Sequence, residues 1–274
     1  MNNLKVSIVT PSYNQGQFIE ETIQSVLDQE YDNLEYVIID GGSTDNTVEV
    51  IKRYEDRLKY WVSEKDNGQT HAINKGFAMA SGDIIAWINS DDVYCKGAIQ
   101  AVTEFFEKNP QANVVVGNGL FMDYKGEVYE RKYPNISRFQ EKHCMMSIFQ
   151  PSTFLRRSIL TDIGFLNEEY QMIMDAEWFY RIAAQYPFYV IEKDLSIFRW
   201  HKDSKSSGDH NSKLFKRYMH EHLTVVKRAH PAMSGFISRF PKASFKAHIY
   251  AGFAVRFLRR LYKRELYKMK DTNV

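Results

Sequence analysis

The sequence predicts an α/β protein, with a mostly parallel central sheet covered by helices on both faces and a helical C-terminal extension. Three observations carry this reading. Over the first 110 residues, short apolar runs alternate with stretches whose apolar residues recur at helical spacing. The runs are nearly continuous rather than alternating, as in strands buried on both faces of a parallel sheet. At KDSKSSGDHNSK (202–213) the chain turns polar, and everything after it reads as helix. The expected organisation is a domain over 1–207, with halves of about 1–110 and 111–207, and an extension over 208–274.

In order, KVSIVTP (5–11) is a first strand ending in proline, and Ile19, Ile23, Val26 and Leu27 mark a helix. LEYVIID (34–40) is a second strand. It runs into a Gly41-Gly42 turn, after which Ser43 or Thr44 caps a helix continued by Val48, Ile51 and Tyr54. LKYWVSE (58–64) is a third strand, 70–79 a helix closed by Gly82, DIIAWIN (83–89) a fourth strand, and 96–108 a helix ending at Asn109-Pro110. Residues 113–133 read as two strands joined through Tyr124-Lys125-Gly126. Helices follow near 157–163 and 174–186, then a strand over 188–201.

Composition excludes several classes. With 36 Lys and Arg against 34 Asp and Glu, the net charge of +2 gives no electrostatic argument for nucleic acid. Two cysteines far apart, Cys95 and Cys144, offer neither a disulfide framework nor a paired-cysteine metal site, and they fit a reducing cytoplasm. MNNLKVSIV reads as a first strand rather than a signal peptide, and no apolar run of about 18 residues suggests a membrane span.

Three polar clusters fall at the carboxyl ends of expected strands: Thr10-Pro11-Ser12-Tyr13, Asp40-Gly41-Gly42 and Asn89-Ser90-Asp91-Asp92. In open α/β sheets ligands bind at that edge, so the clusters should converge. Adjacent carboxylates there are costly unless a cation neutralises them. Magnesium is typically held by one or two carboxylates together with substrate phosphates. A lone Asp-Asp pair would more often be a solvated turn capping the next helix. Its place beside two other polar strand ends favours a metal bridging to a phosphorylated ligand.

Four ordered blocks over about residues 4–207 resemble family 2 glycosyltransferases, the inverting enzymes of GT-A fold, in their bacterial polysaccharide-building form. These are SIVTPSYNQGQFIEETIQSVLDQEYDNLEYVIIDGGSTDNTVEVI, EKDNGQTHAINKGFAMASGDIIAWINSDD, MDAEWFYRI and RWHKDSKS. The resemblance implies transfer of a hexose or N-acetylhexosamine from a UDP-sugar to a glycan acceptor carried on a polyprenyl lipid, with Mg2+ or Mn2+ as cofactor. It implies that Pro11 and Tyr13 line the nucleobase pocket, that Asp40 accepts a hydrogen bond from the uracil imide, and that Asp66 faces base or ribose. Asp91 and Asp92 match the metal motif, one of them reaching ribose or metal, and His201 matches a late histidine at the metal or diphosphate.

Three positions depart from the family pattern. Asn89 stands where a third aspartate is common. Ile73 stands where arginine is common, so a phosphate or base contact is either missing or falls to Lys75. Met174 precedes Asp175 where glutamate is common. Asp175 is the expected general base for the acceptor hydroxyl, its apolar neighbours raising its pKa, although an aspartate opening a helix is also a natural N-cap. Glu177 and Gln150 are further candidates for acceptor or donor sugar, Gln150 equally as a buried amide serving backbone groups. Trp178 is either a sugar-stacking ring or, more simply, a core aromatic, and Arg181 suits an ion pair.

Residues 236–270 carry ten Lys or Arg against a single acid, Glu265, and Ile249, Tyr250, Phe253, Phe257, Leu258 and Leu261 form an apolar stripe. A basic amphipathic helix reads as a peripheral element on the inner face of the plasma membrane, or as a packed helix with a solvated basic face. Two rivals are a sugar-nucleotide nucleotidyltransferase and a non-catalytic nucleotide-sugar binder. TPSYNQGQ lacks the basic, glycine-rich opening of the first, and the retained Asp91, Asp92 and Asp175 argue against the second.

Overall fold

A computed structural model describes residues 4–134, 136, 146–201 and 213–251. Its strands are β1 (Val6–Ser12), β2 (Leu34–Asp40), β3 (Tyr60–Ser63), β4 (Ile84–Trp87), β5 (Val93–Tyr94), β6 (Val114–Met122), β7 (Val128–Lys132), β8 (Thr153–Arg156) and β9 (Phe188–Arg199). Its helices are α1 (Ile19–Leu27), α2 (Thr47–Lys52), α3 (Gln69–Met79), α4 (Ala98–Lys108), α5 (Ser158–Asp162), α6 (Met174–Ala183), α7 (Lys213–Ala229) and α8 (Ser234–Arg239), with a further helix over 241–251. The strands form one sheet in the order β3-β2-β1-β4-β8-β6-β9-β5, with β7 paired to β6. The pairs β1–β2, β2–β3, β1–β4 and β6–β9 are parallel. Strands β5, β7 and β8 add antiparallel pairs, so the parallel character is strongest in the first half.

All seven residues of β1 are buried, as its unbroken apolar run requires. On one face Ile8, Ile38, Ile84 and Ala86 meet Ile23 and Val26 of α1 and Val102 and Phe106 of α4. Truncating one such isoleucine to alanine costs about 2–5 kcal/mol. Near the amino ends of the strands, Glu35 is only 5% exposed. Burial alone would raise its pKa, but hydrogen bonds from Lys5, Ser7 and Ser81 outweigh that and hold it at about 2.

Two elements differ from expectation. Helix α2 begins at Thr47 rather than after Ser43, because Asp45 accepts from the Thr47 and Gly16 N–H groups, both at 3.0 Å, and holds 43–46 as a loop. Strand β5, two residues long, follows the acidic pair directly and pairs with β9.

The described residues divide into two units, Met1–Pro134 with Ile148–Asp209, and Asn135–Ser147 with His210–Val274. In the second unit Phe215, Tyr218 and His222 pack their rings against Phe245, while Met233, Phe236 and Phe240 are about half exposed. The expected C-terminal stripe lies outside the described residues from 252 onward.

Candidate active site

The order β3-β2-β1-β4 places β2 on one side of β1 and β4 on the other. That is a topological switch point, and a crevice opens at the carboxyl ends of the strands there. Tyr13, just past β1, is 60% exposed at this edge, and Pro11 is buried beneath it. Asn14 ties the β1 and β2 loops together: its N–H donates to Ser43 Oγ (2.7 Å) and its Oδ1 accepts from Thr44 N–H (2.9 Å).

Asp40, the expected partner of the base, is fully buried. Oδ1 accepts from Ser43 Oγ (2.5 Å), and Oδ2 accepts from Ser63 Oγ (2.6 Å) and the N–H groups of Ser43 (2.8 Å) and Gly42 (3.2 Å). A carboxylate with four internal donors organises its turn. The neighbouring Asp66 is half-buried and leans against Gly41, where an added Cβ would come within 2.9 Å of its Oδ2. Glycine at 41 therefore lets a second carboxylate reach this edge. Lys75 is taken up by an ion pair with Glu64, and Ile73, in the position where arginine is common, is fully buried.

The turn after β4 is built differently. Asp92 is fully buried: its Oδ1 accepts from Arg199 N–H (3.1 Å), its Oδ2 from the Asn89 amide (3.2 Å), and its carbonyl from Thr22 Oγ1 (2.7 Å). Burial, and then the Asp91 charge beside it, push its carboxyl well above the usual carboxylate range. Asp92 therefore fixes the turn. Asn89 suits that arrangement, since a third carboxylate here would face Asp92 with a like charge; its own Oδ1 accepts from Gln69 at the start of α3 (2.7 Å). Asp91 is left at the surface of the crevice, its Oδ2 3.0 Å from His201 Nε2.

Arg199 was not anticipated. Its guanidinium, 5% exposed, donates to the Asp91 carbonyl (3.3 Å), pairs with Glu21 on α1 and covers the Phe18 ring at 5.2 Å, while His201 packs on the same ring at 4.7 Å. Arg199 is buried at the end of β9, and a cation placed there needs partners.

Asp175 is the second residue of α6. The N-cap is Ile173, and Asp175 Oδ1 accepts from Ala176 N–H at 2.8 Å, so it sits within the first turn instead of capping it. Trp178, one turn on, is fully buried. It packs against Trp87 at the end of β4 (5.9 Å) and Phe77 of α3 (5.8 Å), and its Nε1 donates to the Gly164 carbonyl (2.8 Å). It is thus a core anchor and not a sugar platform. Glu177 is buried and paired with Arg181 (2.9 Å), which also donates to the carbonyls of Ile163 and Phe165 (both 2.8 Å); Glu177 too is structural, not a sugar ligand. Gln150 spends its amide on the Trp87 carbonyl (2.8 Å), the backbone alternative to the sugar contact.

The donor chemistry can be tested against a divalent cation. Among the described residues no three His, Cys, Asp or Glu side chains converge as a closed metal cage. Asp91 and His201 form an open pair instead, one oxygen and one nitrogen, as suits a cation that draws its remaining ligands from phosphate oxygens and water.

Known proteins are similar to this chain in sequence and fold. The family profile Glycosyl transferase family 2 matches residues 7–164. The Bacillus subtilis putative teichuronic acid biosynthesis glycosyltransferase TuaG is 36% identical over 125 residues, covering 44% of this chain and 50% of that protein. S. aureus TarS 1–349 in complex with UDP-GlcNAc aligns over 91% of this chain and 79% of its own, with a TM-score of 0.62 and 16% identity. The mannosyltransferase PcManGT of Pyrobaculum calidifontis, in complex with GDP-Man and Mn2+, aligns over 98% and 82%, with a TM-score of 0.59 and 17% identity. At such identities the likeness to solved structures shows the fold. The chain spans 38%, 38% and 36% of the length of three other curated relatives it matches.

Proposed function

Proceeding from the fact that the chain belongs to glycosyl transferase family 2, we propose that it transfers a hexose or N-acetylhexosamine from a UDP-sugar, with inversion, to a lipid-linked glycan in bacterial polysaccharide synthesis. Tyr13 supplies an exposed ring for the uracil, and Asp66, leaning on Gly41, accepts from its imide. Asp91 and His201 would hold a divalent cation, Mg2+ or Mn2+, which would supply positive charge against the departing diphosphate. The acceptor oxygen forms a bond to the anomeric carbon as the bond from that carbon to the diphosphate breaks. The electron pair leaves with UDP, and the hydroxyl proton passes to Asp175.

The observation that supports this most directly is the Trp87–Trp178 contact. Residues three apart share a helix face, so a helix that buries Trp178 against the end of β4 supports a position for Asp175 near the edge where Asp91 stands. A UDP-release assay over a panel of sugar nucleotides, with Mn2+, Mg2+ or chelator, tests the reading. Asp175→Asn should lower kcat by about 10²–10⁴-fold while UDP binds as before. Turnover that persists in that variant removes Asp175 from the role of base.

The second unit supports a contact with the inner face of the plasma membrane. No described helix is long and apolar enough to cross a bilayer. Met233, Phe236, Phe240 and Tyr250 are exposed among Arg239, Lys242 and Lys246, and residues 231–250 contain no acid. Apolar side chains that enter the interface, with cations worth about 1 kcal/mol each near anionic lipid, suit a peripheral enzyme. Co-sedimentation with vesicles containing anionic lipid, lost with Phe236→Ser and Phe240→Ser, checks it.

A further inference from the structure

The connection from α5 into α6, residues 163–173, has no helix or strand of its own, yet side chains hold its backbone. Four consecutive carbonyls are each taken by a side-chain donor. From α6 itself, Arg181 donates to Ile163 and Phe165, and Trp178 Nε1 to Gly164, all at 2.8 Å. The fourth donor comes from another helix: Asn74 of α3 gives its Nδ2 to the Leu166 carbonyl (2.9 Å) and to Glu168 Oε1 (3.2 Å). Asn74 Oδ1 accepts in return from Leu166 N–H (3.1 Å), so one side-chain amide satisfies both backbone groups of a single residue. Gly164 turns the chain at φ +84°, a conformation that glycine enters at least cost.

A second grip follows. The buried Thr70 of α3 donates its Oγ1 to the Tyr170 carbonyl (3.0 Å), and a Cβ at Gly68 would come within 3.0 Å of Gln171 Oε1. Thr70 and Asn74 are four apart and share one face of α3. Asp175 comes five residues after the second grip (175 − 170). The start of α3 also reaches the turn after β4, where the Gln69 amide donates to Asn89 Oδ1 and the Asn89 amide to Asp92 Oδ2. One helix is thus a common mount for the turn that carries Asp91 and for the segment that leads into Asp175. A base must stand within hydrogen-bond reach of the hydroxyl it serves, and a misplacement on the order of 1 Å costs about 10²-fold in rate. Fixing both groups to α3 sets that distance.

We propose that Asn74 and Thr70 are positioning residues for Asp175, holding it through residues 166–170 at a set place relative to the Asp91 turn. This rests on the reading of Asp175 as the base. The test is a double-mutant cycle in the full chain, with kcat read by UDP release and with UDP affinity and thermal midpoint measured alongside.

Asn74→Ala should lower kcat about 10–100-fold with UDP affinity unchanged. Thr70→Val, which removes the hydroxyl at nearly equal volume, should lower it about tenfold, and Thr70→Ser, which restores the donor, should recover the loss. In an Asp175→Asn background Asn74→Ala should cost nothing further, because the group it positions is gone. A purely structural role would instead lower the thermal midpoint and leave the kcat of folded protein as it was, or would subtract the same factor in both backgrounds. Either result overturns the proposal. Should Asn74→Ala not fold, Thr70→Val and Thr70→Ser carry the same cycle. An Asp175→Asn chain that turns over at the wild-type rate sinks the base and the positioning with it. An inactive Asp175→Asn beside fully active Asn74→Ala and Thr70→Val keeps the base and removes only the positioning, so the two failures are told apart.

Discussion

Two aspartates end neighbouring parts of the sheet, and the fold treats them in opposite ways. Asp40, after β2, is buried under four donors from its own loop and from Ser63. Asp91, after β4, shares one oxygen with His201 and otherwise faces the crevice, because Asp92 next to it takes over the structural work. Saturation, more than position at a strand end, separates a carboxylate that shapes a turn from one that can hold a ligand.

The contrast can be broken most sharply at Asp91. Asp91→Asn should cost about 10²–10³ in kcat/KM and abolish Mn2+ binding measured by electron paramagnetic resonance, with an unmoved thermal midpoint. Should it instead melt early with its Mn2+ affinity intact, the two aspartates are alike. Asp40→Asn should do the reverse. Its amide turns donors toward donors, costing roughly 4 kcal/mol and lowering Tm by roughly 10 °C, while UDP affinity of the folded protein is kept.

Glu35 extends the saturated class to the other edge of the sheet. Its folded pKa of about 2 lies below the ordinary 4.5, so the unfolded chain binds the proton more readily. The stability it contributes, roughly 3 kcal/mol, is complete above pH 4.5 and is lost as pH falls toward 2. Urea melts from pH 6 to 2.5 should show that slope, and Glu35→Gln should flatten it. The smallest effect belongs to Arg199→Lys, which keeps the charge but loses the fork that grips Glu21 and the Asp91 carbonyl. Mn2+ affinity should fall about tenfold, by titration calorimetry, with UDP affinity in the absence of metal unchanged.

Much of the first half could be read from the residues, because β1, β2 and β4 are buried on both faces and their apolar runs are unbroken. Strand β5 could not, since two residues carry no period, and β9 holds them from about a hundred positions away. At the site, Asp91 and Asp175 could be singled out from residue type and place, and their roles as cation ligand and base are proposals. The errors share one cause. Asp40, Asp92, Gln150 and Trp178 all carry chemistry-bearing side chains, but partners that hold them, namely Ser63, Arg199, Trp87 and Phe77, come from other elements; Glu177 alone has its partner, Arg181, one turn on in its own helix. Saturation by distant donors leaves no local pattern, and for the same reason the grip of Arg199 on the Asp91–Asp92 turn could not be read from the residues around it.

The clamp of Arg199 on the Asp91–Asp92 turn also sets an order of events in time. The turn is synthesised more than a hundred residues before the arginine and histidine that complete it, and the β6–β9 register closes a loop of comparable span. Long closures are slow to form. A chain still on the ribosome at residue 190 has already formed its β1–β4 segments yet lacks half of the cation pair, so the capacity to capture that ion arrives only as the last strand is released.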